Sequence, residues 1–259
     1  MGLSKIWIYG EAREGVVATT TLELLAKARS LADTVDVVVH GDASPLAADL
    51  GAHGASSVLS VGDLGEGLPG PRVASAIAGA VSTGTGPDVV LCGTTYDGRD
   101  VAGRLSAKLD APVITNVVDL VVDGDRLLGV EPVFGGTTDV TTGFTGAGTA
   151  IFLVRPKSFA AEDAGGAPAT VGAIEAGDLG NTAGAVVKNR FVEESSGPKL
   201  DEASIVVAGG RGIGDAEKYE MIETLATLLK GAPGASRAVV DSGWVPYSYQ
   251  VGQTGKVVK

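Results

Sequence analysis

Cysteine is nearly missing from this chain: Cys92 is the sole one in 259 residues. That excludes a disulfide framework within the chain and a cysteine-based metal cluster. Lying in the apolar run Val89-Val90-Leu91-Cys92, it reads as a buried structural thiol. Histidine is scarce too. His40 and His53 have no further histidine or cysteine spaced for a metal, so no metal site is expected. Long apolar stretches are absent: residues 150–154 and 89–92 fall far short of the ~18 to 20 residues of a membrane-spanning helix. No basic leader followed by an apolar run opens the chain, because residues 5–9 already read as a strand, and a bacterial-type cytoplasm is the expected compartment. Basic charge is in deficit, with 20 Lys and Arg against 31 Asp and Glu, a formal net charge of −11, and no basic run. Such a surface repels nucleic-acid phosphates. Through Arg190 the chain carries 13 basic and 22 acidic residues, and after it 7 and 9, so the later segment tolerates anionic ligands better.

What is present is ordinary in bulk and unusual in one residue. Hydrophobic residues make up 44% and charged ones 20%, as in soluble domains, but 39 residues are glycine, roughly twice the usual ~7%. Many tight turns follow. The length suits one large domain or two medium ones.

Short β-rich runs alternate with longer helical patterns from the start, which predicts parallel strands with crossover helices. Strands are expected over residues 5–9, 35–40, 57–61 and 88–93, rich in Val and Ile as strands covered on both faces are. Helices are expected over 21–32 and 97–110, the second capped by Asp97, with Pro45 and Pro71 near further helix starts. After Pro112 the pattern becomes strands and turns: 116–122, an Asp123-Gly124-Asp125 turn, 126–130, 133–142 and 150–154. We read these as an antiparallel extension of the first sheet, with Thr137, Thr138, Thr141 and Thr142 as β-formers. Residues 160–184 lack an apolar period and read as a surface linker holding the domain junction. Residues 185–192 are a candidate strand, and a second α/β unit begins near Ser204.

That second unit holds the informative residues. Residues 205–208 read as a strand, Gly209-Gly210-Arg211-Gly212-Ile213-Gly214 as a glycine turn, and 215–230 as a helix with Ile222, Leu225, Leu228 and Leu229 inward. Glycines let a backbone approach a phosphate, and helix N-terminal amides carry partial positive charge toward it. Arg211 adds a planar fork of donors. The spacing is not the full dinucleotide fingerprint, and glycine loops also serve as plain βα turns. Elsewhere, Asp97, Asp100 and Asp110 lie beside Arg99, Arg104 and Lys108 and read as a solvated charged face. Ser236 has no neighbouring histidine for triad chemistry, and no catalytic residue is assigned. Tyr247 and Tyr249 are expected to cover a ligand or a subunit contact.

Downstream stand Gly234-Ala235-Ser236-Arg237 and Gln250-Val251-Gly252-Gln253-Thr254-Gly255-Lys256. Together with Val207-Ala208-Gly209-Gly210-Arg211-Gly212, these segments closely resemble the flavin-binding domain of the electron-transfer flavoprotein alpha subunit. The resemblance extends weakly to Lys5, through Asp97-Gly98-Arg99-Asp100. It implies two Rossmann-like parallel-sheet domains in an α/β fold: residues 1–185 without a cofactor, serving subunit docking, and an incomplete FAD-binding domain over 186–259. Arg211, Ser236, Arg237, Val251, Gly252, Gln253 and Thr254 match the family's FAD contacts, with Thr254 near flavin N5 and Arg237 beside the isoalloxazine ring.

The implied protein is an electron carrier without substrate turnover. Its expected partners are a beta subunit that binds AMP, flavin dehydrogenases such as acyl-CoA dehydrogenases, and a quinone oxidoreductase. The family pattern continues past Lys256 with a strand, a glycine-rich loop and a histidine, so part of the pattern is expected to lie outside this sequence. A cation near a flavin in a low-dielectric pocket favours the negative charge gained on one-electron reduction. Read without its neighbours, Arg237 is an ion-pairing residue at a helix or sheet edge. The alternative function is a regulatory module that holds an adenine nucleotide and moves no electrons.

Overall fold

The computed structural model describes residues 3–124, 126–180, 185–189, 198, 200, 203–252, 254–256 and 258. The chain divides into two compact units, Met1–Asn189 and Arg190–Lys259.

The first unit opens with β1 (Leu3–Tyr9), a small hairpin of β2 (Ala12–Arg13) and β3 (Val16–Val17), α1 (Thr19–Ala28), β4 (Ala32–Val39), α2 (Ala47–Ala52) and β5 (Ser57–Ser60). It continues with α3 (Pro69–Ser82), β6 (Val89–Gly93), α4 (Tyr96–Leu109) and β7 (Val113–Val117). Then come β8 (Asp119–Asp123), β9 (Arg126–Val133), β10 (Thr138–Gly143), β11 (Ala150–Val154) and β12 (Thr170–Ala173). Seven strands form one sheet in the order β12-β5-β4-β1-β6-β11-β7, every pairing parallel.

Strand alternation sorts the side chains into two cores. Ile6 and Ile8 face one layer with Leu24 and Leu25 of α1 and Leu50 of α2. Trp7 and Tyr9 face the other, with Val73 and Ile77 of α3 and Val101 and Leu105 of α4. Both faces of the sheet are therefore covered, which is why its central strands are rich in Val, Ile and Leu.

Several expectations require correction. Residues 150–154 do not extend an antiparallel sheet: β11 inserts between β6 and β7 and runs parallel to both. An apolar run such as Ala-Ile-Phe-Leu-Val looks the same in either setting. The antiparallel strands form a separate three-stranded sheet, β10-β9-β8. Asp123 pairs with Arg126 across the turn, with Gly124 at φ +66; Asp125 lies outside the described residues. The expected strand over 116–122 is divided between β7 and β8. Near the break Asn116 adopts φ +59 where the β7–β11 register shifts, a bulge conformation asparagine tolerates better than most residues.

The cap of α4 is Thr95, whose hydroxyl accepts the Gly98 N–H at 2.9 Å, and not Asp97. Residues 160–180 belong to the first unit rather than to a linker. The Ala164 and Ala169 N–H groups bond to Ala52 and Ala47 carbonyls, Ala169 is buried, and β12 pairs with β5 at the sheet edge. Edge pairing satisfies backbone groups and needs no apolar period. Val186, expected in a strand of the second unit, bridges Gly67 of the first; residues 190–192 lie outside the described residues.

The second unit contains β13 (Val206–Gly209), α5 (Glu220–Leu228), β14 (Ala232–Ala235) and the short α6 (Arg237–Asp241). Its two strands pair in parallel. Helix α5 begins later than expected because Gly214 sits at φ +104 and Asp215 closes a turn by accepting the Lys218 N–H. Tyr219, Ile222, Val239, Trp244 and Tyr249 build the small core. Leu225, Leu228 and Leu229, expected to point inward, are 45%, 75% and 45% exposed. Tyr219, Ile222 and Ala226 form the stripe toward the sheet, and the apolar side of α5 is wider than two strands cover.

Candidate functional site

In an open parallel sheet, ligands bind beyond the carboxyl ends of the strands, where the strand order reverses. In the first unit that place lies between β1 and β6. The chain's own groups meet there: Glu11, just after β1, accepts a 2.5 Å hydrogen bond from the Thr95 hydroxyl, just after β6. Burial raises the Glu11 pKa above the usual carboxylate value, with the Thr95 hydrogen bond opposing. Asp100 pairs with Arg104 at 2.9 Å. Cys92 is fully buried, and burial pushes its thiol up to about 12.

In the second unit the carboxyl ends of neighbouring strands gather three segments far apart in sequence. Gly209 at the end of β13 pairs with Ala235 at the end of β14, and the Ser236 N–H bonds back to the Gly209 carbonyl at 2.9 Å. Ala235 is also bridged in parallel to Gln250, and the Val251 N–H reaches the Ala235 carbonyl at 2.9 Å. The structure thus brings Arg211, Ser236, Arg237, Val251, Gly252 and Thr254 to one edge of the unit. Gln253 lies outside the described residues.

Two polar side chains on this edge, those of Arg211 and Ser236, are uncommitted among the described residues. Ser236 stands at the start of α6 but its side chain caps nothing. The Arg211 side chain has no hydrogen-bond or ion-pair partner among the described residues, while its carbonyl accepts the Gly214 N–H at 3.1 Å. Arg237 is exposed and pairs with Asp241 at 3.2 Å, one turn along α6. That matches the reading of Arg237 without its neighbours, but a surface pair of this kind contributes only ~0–1 kcal/mol, so a ligand can draw the guanidinium away at little cost. Gly252 adopts φ +105 with open space where a Cβ would stand, and Gly212 is equally open. Free cationic and hydroxyl donors beside open glycines suit an elongated, phosphate-bearing ligand.

The edge is held from behind by residues that motif reading passed over. Gln250 is 3% exposed, and its side-chain amide donates to the Thr254 carbonyl at 2.9 Å and the Thr254 hydroxyl at 2.8 Å. The Tyr247 hydroxyl donates to the same carbonyl at 2.8 Å, which gives Tyr247 a role within the loop. Buried Tyr219 donates to the Gly234 carbonyl at 2.5 Å, securing β14, and its ring packs 6.3 Å from that of Tyr249. Burial raises the pKa values of Tyr219 and Tyr249, with Glu223 adding to both. The signal for Gln250 was its place at the head of the Gln-Val-Gly-Gln-Thr-Gly-Lys segment.

Comparison with known proteins gives the same division. The family profile for the electron transfer flavoprotein domain matches residues 6–179, and that for the electron transfer flavoprotein FAD-binding domain matches 199–259. The electron transfer flavoprotein subunit alpha of Mycobacterium leprae (strain TN) is 36% identical over 257 residues, 96% of this chain and 77% of that protein. Its counterpart in Mycobacterium tuberculosis (strain ATCC 25618 / H37Rv) is 36% identical over 259 residues, 99% and 80% of the two chains. Protein FixB of Clostridium saccharobutylicum is 31% identical over 260 residues, 98% and 78%. Both profiles, in this order, place the protein among the electron transfer flavoproteins. Within that class the chain belongs to the alpha-subunit family.

Proposed function

We propose that this chain is the FAD-holding subunit of a heterodimeric electron carrier. The observation that carries the reading is the convergence of the glycine-arginine, serine-arginine and glycine-threonine segments on the carboxyl edge of β13 and β14. FAD, when bound, supplies one-electron chemistry that no side chain provides. Arg211 and Ser236 would hold phosphate oxygens, the open backbone at Gly252 with its sequence neighbours Val251 and Gln253 would contact the cofactor, and Thr254 would offer its hydroxyl toward flavin N5. Arg237, released from Asp241, would set its charge beside the ring, where a low dielectric would strengthen its attraction for an added electron. None of these groups transforms a substrate.

The first unit serves as docking platform for a beta subunit that carries AMP. The carrier takes electrons from flavin dehydrogenases, acyl-CoA dehydrogenases among them, and passes them to a quinone oxidoreductase, in the bacterial cytoplasm. Among the described residues no helix is long and apolar enough to cross a membrane, in keeping with a carrier that diffuses between partners. The test is co-expression with a beta subunit, followed by dithionite titration. A yellow complex that dithionite bleaches in one-electron steps supports the proposal. A complex that shows no reducible chromophore, together with adenine nucleotide uptake by this chain without the beta subunit, overturns it in favour of a regulatory nucleotide-binding module.

A further inference from the structure

Gln250 holds the Thr254 side chain in a way that decides what its hydroxyl can do. A backbone carbonyl only accepts hydrogen bonds, so the group 2.9 Å from the Thr254 carbonyl is the amide nitrogen of Gln250 and not its oxygen. The same nitrogen lies 2.8 Å from Thr254 Oγ1. An amide nitrogen offers protons and accepts none. Oγ1 is therefore the acceptor in that bond, and its own proton points away from Gln250. Thr254 itself is exposed, so the proton is turned to the open side of the loop.

The surrounding backbone fixes this arrangement. The Tyr247 hydroxyl bonds to the Thr254 carbonyl at 2.8 Å. The loop closes on itself through Gly252 N–H to the Lys256 carbonyl, Gly255 N–H to the Gly252 carbonyl, and Lys256 N–H to the Gln250 carbonyl. A Cβ at Gly255 would overlap the Gln250 backbone and crowd its side chain, so only glycine allows the two to lie this close. A buried amide that lost these partners would carry an unsatisfied donor, so the arrangement resists rotation of the Gln250 side chain.

We propose that Gln250 is a positioning residue that makes the Thr254 hydroxyl a donor to the cofactor. It occupies the oxygen from behind, so the hydroxyl proton is available to an acceptor atom in front, which for a flavin is N5. The inference rests on the reading that this loop holds FAD. A donor aimed at N5 favours the form that has gained negative charge, so Gln250 raises the one-electron potential without touching the ring.

The test compares wild type, Gln250→Met, Thr254→Val and the double variant, each co-expressed with a beta subunit and titrated for the first-electron midpoint potential. Methionine keeps the length of the side chain and removes both donors. Gln250→Met is expected to lower the reduction equilibrium about tenfold, about 59 mV for a one-electron couple. In the Thr254→Val background it is expected to change the equilibrium less than about twofold, since the hydroxyl through which it acts is gone. Equal shifts in both backgrounds, or none in wild type, would overturn the proposal. Loss of flavin by Gln250→Met that Thr254→Val does not share would overturn it too, because a role exerted through a hydroxyl cannot exceed deletion of that hydroxyl.

A second readout needs neither cofactor nor variant folding: the Gln250 side-chain amide protons should exchange slowly with solvent in the cofactor-free chain, and exchange at the rate of an exposed glutamine would contradict the geometry. A wild-type complex without flavin would instead sink the proposed function, an outcome distinct from all of these.

Discussion

The hydroxyl of Thr95 joins the carboxylate of Glu11 to the first turn of α4, donating to Glu11 Oε1 at 2.5 Å and accepting the Gly98 N–H at 2.9 Å. One side chain thus caps a helix and anchors an acid at the place where strand order reverses. Burial raises the Glu11 pKa, so the folded chain holds that proton more tightly than the unfolded chain does. Stability from this group is full below the ordinary carboxylate pKa and is lost as pH rises through the raised value. Glu11→Gln keeps an acceptor for Thr95 and removes the charge. Thermal unfolding should show the variant more stable than wild type at pH 7 and nearly equal at pH 4. A variant less stable at pH 7 would contradict the assignment.

Cys92 is buried with its thiol pushed up to about 12 by burial, so the thiolate fraction at pH 8 is on the order of 10⁻⁴ even before access is considered. Iodoacetamide should leave the native protein unlabelled at pH 8 and modify it once in urea. Labelling of the native chain would show that β6 is less covered than described.

Gly255→Ala places a methyl against the Gln250 backbone. Overpacking of this kind costs ~1–3 kcal/mol, and the loop has little room to relax because its backbone closes on Gln250. Flavin affinity should fall while the unfolding of the first unit stays unchanged, measured by flavin fluorescence and by hydrogen exchange of the β1 and β6 amides.

Arg237→Ala removes an exposed guanidinium whose pair with Asp241 contributes little, so stability should change by less than ~0.5 kcal/mol. If Arg237 stands beside the ring, the one-electron equilibrium should fall about tenfold, about 59 mV, read by reductive titration. An unchanged potential would return Arg237 to its surface ion pair.

The sequence made the parallel half of the first unit legible because the strand stretches covered on both faces are valine-rich, as in Val35, Val37, Val38 and Val39 of β4 and Val89-Val90-Leu91 of β6. It left β11 ambiguous, since Ala150-Ile151-Phe152-Leu153-Val154 reads alike as a hairpin or a crossover strand, and only the pairing with Val89 and Val113 decides. It hid β12, because an edge strand such as Thr170–Ala173 pairs by its backbone and needs no pattern of side chains. The leucines of α5 misled, since periodicity marks an apolar stripe without saying how much of it the sheet can cover. Site residues were legible as motifs, but their meeting depends on the parallel pairing of Gly209 with Ala235 and of Ala235 with Gln250, and Gln250 acquires its meaning only from the two bonds it gives Thr254.

The most direct measurement is the visible spectrum and released cofactor of this chain purified with a beta subunit. The account predicts flavin absorption bands and one FAD released per chain on denaturation, with the bands bleached by an Arg211, Ser236 double substitution. A colourless complex that releases no FAD would contradict it.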